Sequence, residues 1–398
     1  MKEYDVIIIG GGASGLIAAI EAKKQFNRVA VLEKESRVGR KILATGNGKC
    51  NMTNINAGIK DYHGGFSFAV KKLFSEYSPK YIVKYFSDLG LYSFADEHGR
   101  VYPNCKQASA VLDILRRKLK ELDVDIFTDC FVKDIILTEK FNILSDSNEF
   151  ICYNVIVATG GKSSPKLGSD GSMFKILENL GHTITELSPA LCPINVKSDI
   201  IKGLKGVRVD GKVTVLSKGK EIKEEYGEIQ FTENSISGIC AFNLSHLDYD
   251  TVRISLLPDK SKNEITEILK ERIELFKDSS IEDYFLGMFN NKLSVALLKQ
   301  GKMGSFNRKC ADISNKEIET LAELINNFDF AATKKNDFSK SQVTKGGICA
   351  KEINPDTLES MYIPKLYFCG EILDIDGICG GYNLQFAFAS GIKAGKLL

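Results

Sequence analysis

Residues 4–33 read YDVIIIGGGASGLIAAIEAKKQFNRVAVLE. The run at 4–9 is almost purely β-branched, the pattern of a strand buried on both faces of a parallel sheet. It breaks at Gly10, Gly11 and Gly12. Apolar residues then recur at helical spacing, at Leu16, Ile17, Ala19, Ile20 and Ala22, which predicts a helix opening near Ala13 and Ser14. A second strand over 28–32 ends on Glu33. The glycines at 10, 12 and 15 have the G-x-G-x-x-G spacing of a dinucleotide-binding turn. Gly10 permits the tight turn, Gly12 lets backbone approach a pyrophosphate, and Gly15 lets the helix pack close to the strand. The pyrophosphate is expected on the helix N-terminus, where N–H groups without intrahelical partners favour negative charge. Glu33 follows about 20 residues on, where a carboxylate accepts hydrogen bonds from the adenosine ribose and disfavours a 2′-phosphate. The turn alone leaves open whether the dinucleotide is NAD or FAD.

A chain of 398 residues exceeds one ordinary core, so several domains are expected. With 53 basic and 51 acidic residues the net charge is +2, too balanced for the field of a nucleic-acid binder. No apolar run reaches the ~18 residues of a membrane helix, so no membrane partner is expected. The first strand begins at once, which leaves no signal peptide to expect. The ten cysteines include no C-x-x-C pair, and the four histidines, His63, His98, His182 and His246, are scattered. No protein-held metal is expected, and a reduced, cytoplasmic protein fits this cysteine usage.

Residues 33–54, EKESRVGRKILATGNGKCNMTN, read as a long loop beside the cofactor. Arg40 and Lys41 are placed to neutralise phosphate. Gly46 and Gly48 let backbone approach a flat ring or a ribityl chain, and Thr45, Asn47 and Asn51 offer polar groups to its edges. Helices are expected over 67–77, 79–89 and 106–122. Strands follow over 124–127, 131–138, 141–145 and 150–158, the last ending on Ala158-Thr159-Gly160-Gly161. This order of β-α-β, helices, meander and late strand is the layout of an FAD-type Rossmann domain. One more helix is expected at 175–180.

After Pro189 the period changes to two, with Val207, Val209, Val213 and Val215 on one face and Asp210-Gly211 read as a hairpin turn. Strands at 228–231 and 251–256 complete a β-domain. Helices are expected at 265–276, 281–289, 293–299 and 314–328, the last opened by a capping box of Ser314 and Glu317. Strand returns at 342–353 and 365–369. Gly370-Glu371 and Gly380-Gly381 then precede a helix from Tyr382 to 396. Its N-terminus, near Gly381 and Asn383, is expected to stabilise negative charge at a flavin's pyrimidine edge, so the long cofactor is gripped from both chain ends. The domain bounds read from these shifts are 1–189 and 341–398 for the cofactor domain, 190–258 for an inserted β-domain and 259–340 for an inserted helical region.

Six stretches carry a resemblance: G-G-G-x-S-G at 10–15, G-R-K-x-L-x-T-G-x-G-[RK]-C-N-x-T-N at 39–54, G-R-V-Y-P at 99–103, A-T-G-G at 158–161, T-x-G-G at 344–347, and G-E-x-L-D-x-D-G-x-x-G-G-Y-N-L-Q at 370–385. In these the chain resembles the NAD(P)/FAD-dependent oxidoreductases of the aminoacetone-oxidase and 3-dehydro-bile-acid-reductase type, over nearly its whole length. Lys49 stands where Arg is common, which keeps the charge. The resemblance implies an α/β fold: a glutathione-reductase-like Rossmann domain with a parallel sheet, a β-meander and helices, split by an inserted β-barrel-like and helical region. It also implies FAD and redox chemistry. The cofactor-binding residues expected at the first chain end are Gly10, Gly12, Ala13, Ser14 and Gly15, then Glu33 with Lys34. Gly39, Arg40, Lys41, Thr45, Gly46, Asn47, Gly48 and Asn51 follow. Val132 is expected from the meander, Ala158, Thr159, Gly160 and Gly161 from the late strand, and Gly370, Glu371, Gly381, Tyr382, Asn383 and Leu384 from the last motif.

The activity expected is that of an FAD-dependent oxidoreductase, with FAD held non-covalently and a small molecule as substrate. Residues 190–340 contain no second glycine-rich dinucleotide turn, so NAD(P)H is expected to visit only transiently as electron donor. Two reactions compete: reduction of an activated C=C bond in a steroid- or enone-like molecule, and oxidation of an amine or aminoketone by oxygen. A flavoprotein acting on tRNA and a non-catalytic flavin-binding regulator are alternatives of other classes. The oligomeric state is left open. Lys345, Cys349 and Tyr382 are the candidate catalytic side chains, and the inserted region is expected to cover the flavin's reactive face.

Overall fold

The computed structural model describes residues 2–333 and 337–396. The first strand, Lys2–Ile9, lies inside a seven-stranded sheet, as its apolar run requires. Val29–Leu32 and then Asp125–Phe127 pair parallel on one side of it; Glu149–Val157 and then Leu366–Phe368 pair parallel on the other. All five of these strands end level, because Ile9 lies opposite both Leu32 and Val157, Leu32 lies opposite Phe127, and Val157 lies opposite Phe368. Open parallel sheets gather their ligand sites at the carboxyl ends of the strands. Gly10, Glu33, Ala158 and Gly370 therefore emerge at one edge. The meander, Val132–Leu137 and Phe141–Ser145, runs antiparallel beside the first half of Glu149–Val157.

The chain divides into two compact units: Met1–Ala190 with Asp337–Leu398, and Leu191–Asn336. The first holds the parallel sheet and its helices around one apolar core. In the second, six strands close into an antiparallel barrel in the order Ile194–Lys197, Ser235–Ser237, Lys220–Phe231, Arg208–Ser217, Thr251–Ser255 and Phe328–Ala332. The helices Lys262–Phe276, Asn291–Gln300 and Asn315–Asn326 share the barrel's core, so Leu269, Leu297 and Leu321 belong to the same cluster as Phe231 and Phe330. The β-rich and helical stretches are thus one unit with one core. Among the described residues no helix is long and apolar enough to cross a membrane.

Four local expectations are corrected. Asp210-Gly211 is no turn: the strand Arg208–Ser217 runs straight through it, and Gly211 faces Gly227 where a Cβ would come within 2.6 Å of the Ser255 carbonyl oxygen. The hairpin reverses at Lys218-Gly219, whose φ values of +51° and +76° give the twist a two-residue hairpin needs. Residues 33–54 are not all loop, since they contain the helix Arg40–Ala44 and a 3₁₀ turn, Thr45–Gly48. Over 281–289 only a 3₁₀ turn forms, Ile281–Asp283, because the Arg272 guanidinium takes the Tyr284 and Leu286 carbonyls that a helix would have used. Strand in 342–353 is confined to Val343–Lys345.

Candidate cofactor site

The glycine turn has two tight positions and one open one. Gly10 has φ +106°, and a Cβ on it would lie 2.6 Å from the Ala158 carbonyl oxygen. A Cβ on Gly15 would lie 2.0 Å from the Gly10 carbonyl oxygen, so the helix Ala13–Lys23 rests directly on the turn. Gly12 caps that helix without any side-chain bond, and a Cβ there meets nothing within 4 Å. Open space over uncapped helix N–H groups is a cradle for an anion. Ser14 donates to the Cys369 carbonyl at 3.3 Å, so the two chain ends meet beside the turn.

Glu33 braces the same turn. Its carboxylate accepts from the Gly11 N–H and the Glu35 N–H, both at 2.9 Å, and burial pushes its carboxyl above the usual carboxylate range. The Glu33 carbonyl accepts from the Cys130 N–H at 2.9 Å, which brings the start of the meander, and the buried Val132, alongside. The basic residues expected at the cofactor are already compensated. Lys34 pairs with Asp170 at 2.6 Å, Arg40 pairs with Glu35 and donates to the Lys166 carbonyl, and Lys41 pairs with Glu371 at 2.8 Å and donates to the Ser163 carbonyl. The helix terminus at Gly12 is therefore the stronger claim on a pyrophosphate. Gly39 serves packing: its N–H donates to the Gly11 carbonyl, and a Cβ on it would meet Leu112 at 2.2 Å.

Glu371 links the motifs further. Its other oxygen accepts from the Thr344 N–H at 2.8 Å, and the Thr344 hydroxyl accepts from the Lys162 and Ser163 N–H groups. The A-T-G-G, T-x-G-G and G-R-K stretches are thus clamped through one carboxylate. Beside them the buried hydroxyls of Thr159 and Ser169 have no hydrogen-bond partner within the protein. At the last motif, Asn51 is buried with Oδ1 unpartnered, and a Cβ on Gly381 would come within 2.6 Å of that oxygen. The helix Tyr382–Lys396 begins there. Asn383 is spent holding Gly377, accepting from its N–H and donating to its carbonyl, both at 2.8 Å. Leu384 packs on the core. Thr45 donates to its own helix at the Ile42 carbonyl, and Gly46, Asn47 and Gly48 are exposed, with Asn47 left-handed at φ +54°.

The three candidate catalytic residues lie on or beside three different elements. Tyr382 is buried, its carbonyl accepts a hydrogen bond from the Tyr62 hydroxyl at 2.7 Å, and burial raises its phenol pKa. Lys345 ends the strand Val343–Lys345 and acts electrostatically on Asp374. Cys349 precedes the 3₁₀ turn Ala350–Glu352, its N–H bound to the Thr183 carbonyl. Sequence reasoning did not single out Asp374, Asp376 or His63. The strands Asp376–Gly377 and Tyr62–His63 pair antiparallel, with Asp376 opposite His63. The D-x-D of the last motif was the one available signal.

The HI0933-like protein Rossmann domain family matches residues 4–397. The chain belongs to this family. It is 36% identical to the 3-dehydro-bile acid delta(4,6)-reductase of Clostridium scindens, across 98% of this chain and 97% of that one. It is 28% identical to a ribosomal RNA dihydrouridine synthase of Haemophilus influenzae, across 98% and 97%. The 3-ketosteroid-delta4-(5alpha)-dehydrogenase of Rhodococcus jostii shares the fold, with a TM-score of 0.51 at 15% identity over 99% of this chain and 96% of that one. The chain is an FAD-dependent oxidoreductase with a Rossmann fold. Its residues fit the cofactor: the open space at Gly12 suits a pyrophosphate, and the orphaned oxygens of Thr159, Ser169 and Asn51 offer polar partners to a long ligand.

Proposed function

We propose that this enzyme saturates an activated C=C bond of a small hydrophobic, steroid- or enone-like substrate, using electrons that NAD(P)H delivers transiently to non-covalently held FAD. The observation that carries this reading is the end-to-end 36% identity with a protein named as a bile-acid delta(4,6)-reductase. When bound, FAD supplies the hydride chemistry; the protein supplies binding, orientation and electrostatics. The residues that would hold it are Gly10 to Gly15, Glu33, Asn51, Thr159 and the start of the helix Tyr382–Lys396. Non-covalent binding is supported at Cys50, the one obvious attachment point, because burial pushes its thiol up to about 11 and leaves it protonated near neutrality. Transient use of nicotinamide is supported by the second unit, a barrel with helices and no glycine-rich dinucleotide turn. One flavin serving donor and acceptor in turn gives ping-pong kinetics.

The test is anaerobic stopped-flow spectroscopy. NADH or NADPH should bleach the flavin, and a Δ4-3-keto steroid should restore its colour faster than air does. Bleaching by an amine in place of nicotinamide would establish the oxidase alternative instead. A second reading has its own observation: relatives of 28% and 24% identity are named ribosomal RNA dihydrouridine synthases. Dihydrouridine is uridine with one C=C bond saturated, so the bond chemistry is the same and the substrate a polyanion. The balance of 53 basic against 51 acidic residues favours the small substrate. Reoxidation by ribosomal RNA that weakens steeply with added salt would favour the polyanion.

A further inference from the structure

Asp376 is the most anomalous acid in the first unit. Its side chain is 2% exposed, and Oδ1 is buried with no hydrogen-bond partner. Buried carboxylates are normally paired or fully hydrogen-bonded, because an unsatisfied one is costly. Oδ2 lies 3.7 Å from Nδ1 of His63, whose side chain is 28% exposed. The pair is held by its strands: Asp376 lies opposite His63 and Gly377 opposite Tyr62. Those strands are in turn pinned to the start of the C-terminal helix, through Gly377 to the Asn383 side chain and through the Tyr62 hydroxyl to the Tyr382 carbonyl. A partly exposed imidazole within ion-pair distance of a buried carboxylate is an arrangement that can move protons once the two close to hydrogen-bond distance. Here it sits beside the helix terminus assigned to the flavin.

We propose that His63 is the proton donor of the reaction and that Asp376 is its positioning residue. The inference rests on the C=C-reduction reading and adds the acid that reading lacks. Hydride from the reduced cofactor forms a C–H bond at the β-carbon of the conjugated bond. The π pair passes to the carbonyl as an enolate, and the α-carbon takes a proton from Nε2 of the His63 imidazolium. Solvent reprotonates the ring, so the substrate gains two electrons and two hydrogens. Asp376 keeps Nδ1 as the other protonated nitrogen and directs transfer through Nε2. Titratable and charged groups of this unit around the pair include Asp374, Asp61, Tyr62, Tyr382, Lys345 and Arg100.

The test uses the FAD-loaded protein and the variants His63→Gln and Asp376→Asn. Both are expected to bind FAD and to bleach with NAD(P)H as the wild type does. Reoxidation by a Δ4-3-keto steroid should slow about 10²–10⁴-fold in His63→Gln, the usual contribution of a general acid. Imidazole in the buffer should partly restore a His63→Ala variant. Asp376→Asn should shift the pH profile of reoxidation, and long-range ¹H–¹⁵N spectra should show Nδ1–H at His63 in the wild type and a mixed tautomer in Asp376→Asn. If the wild type is reoxidised by the steroid and His63→Gln matches its rate, the inference falls and the reductase reading stands. If the wild type itself is not reoxidised by the steroid, both fall. Should His63→Gln lose FAD, an unchanged His63 tautomer in Asp376→Asn would by itself overturn the pairing.

Discussion

Gly12 and Gly15 stand three residues apart in one turn, and a side chain has opposite consequences at each. At Gly15 a Cβ meets the Gly10 carbonyl oxygen at 2.0 Å, so Gly15→Ala must open the turn. Forcing a methyl group into close packing costs about 1–3 kcal/mol, which thermal unfolding of the apoprotein will register. At Gly12 the space is open to 4 Å, so Gly12→Val should keep the unfolding temperature and purify colourless. A yellow Gly12→Val protein would show that the pyrophosphate lies elsewhere. Glu33 is a third case. Its two backbone bonds to Gly11 and Glu35 shape the turn from within, in addition to the ribose contact the sequence implies. Losing a hydrogen bond to a charged acceptor costs about 1.5–3 kcal/mol, so Glu33→Ala should weaken FAD binding roughly 10- to 150-fold in a titration of apoprotein. An unchanged dissociation constant would remove Glu33 from the site. The glycine spacing was legible in the sequence; Glu33's bracing of Gly11 was not, because a side-chain-to-backbone bond across 22 residues leaves no local pattern.

Between elements, a buried strut joins three segments of the first unit. His182 Nδ1 lies 3.1 Å from Glu352, and Nε2 lies 3.0 Å from the Ser360 hydroxyl. The order Ser-His-Glu is that of a hydrolytic triad, but the imidazole is wholly buried and the Ser360 oxygen already accepts from the Tyr362 and Ile363 N–H groups. It is structural. Burial lowers the His182 pKa from 6.5, so the folded ring is neutral where an unfolded one would bind a proton. The unfolded state then binds more protons, and stability falls as pH drops below about 6.5. The Glu352 carboxyl is also held below 4.5, which extends the loss further into acid. Urea midpoints should therefore decline from pH 7.5 to 5, and His182→Gln should flatten that decline. Equal slopes in both proteins would refute the strut's role. None of this was legible, since the partners are 170 and 178 residues apart. The strand Lys220–Phe231 was largely hidden for another reason. Lys and Glu occupy both of its faces, Ile222 and Tyr226 are exposed, and only Ile229 and Phe231 at its end are fully buried. The misplaced hairpin turn shows the same limit, because Asp-Gly is a strong turn signal until a neighbouring strand needs the glycine's missing side chain.

At the scale of the molecule, the sequence was most legible where function repeats at both chain ends. The glycine turn and the last motif are far apart in the chain, yet Ser14 bonds Cys369, and the C-terminal helix packs on the first helix so closely that a Cβ on Gly395 would lie 2.6 Å from the Ala18 carbonyl oxygen. Less legible was how many units the middle makes. Period two followed by period 3.6 suggested two, whereas one core spans both. The first unit has its own core, and every residue assigned to FAD lies within it. The segment leaving it and the segment re-entering it are neighbours: Ser188–Ala190 pairs antiparallel with Val343–Lys345, and Ala190 lies opposite Val343. Replacing 191–336 with a short Gly/Ser linker therefore asks little of the backbone, because loop closure costs grow slowly with length. The shortened chain is expected to fold cooperatively and to bind FAD within about tenfold of the full protein, a difference of about 1.4 kcal/mol. Near-ultraviolet circular dichroism and an FAD titration check both parts. A folded but colourless product would mean that the second unit supplies part of the grip; an unfolded one would mean that the two cores are not independent.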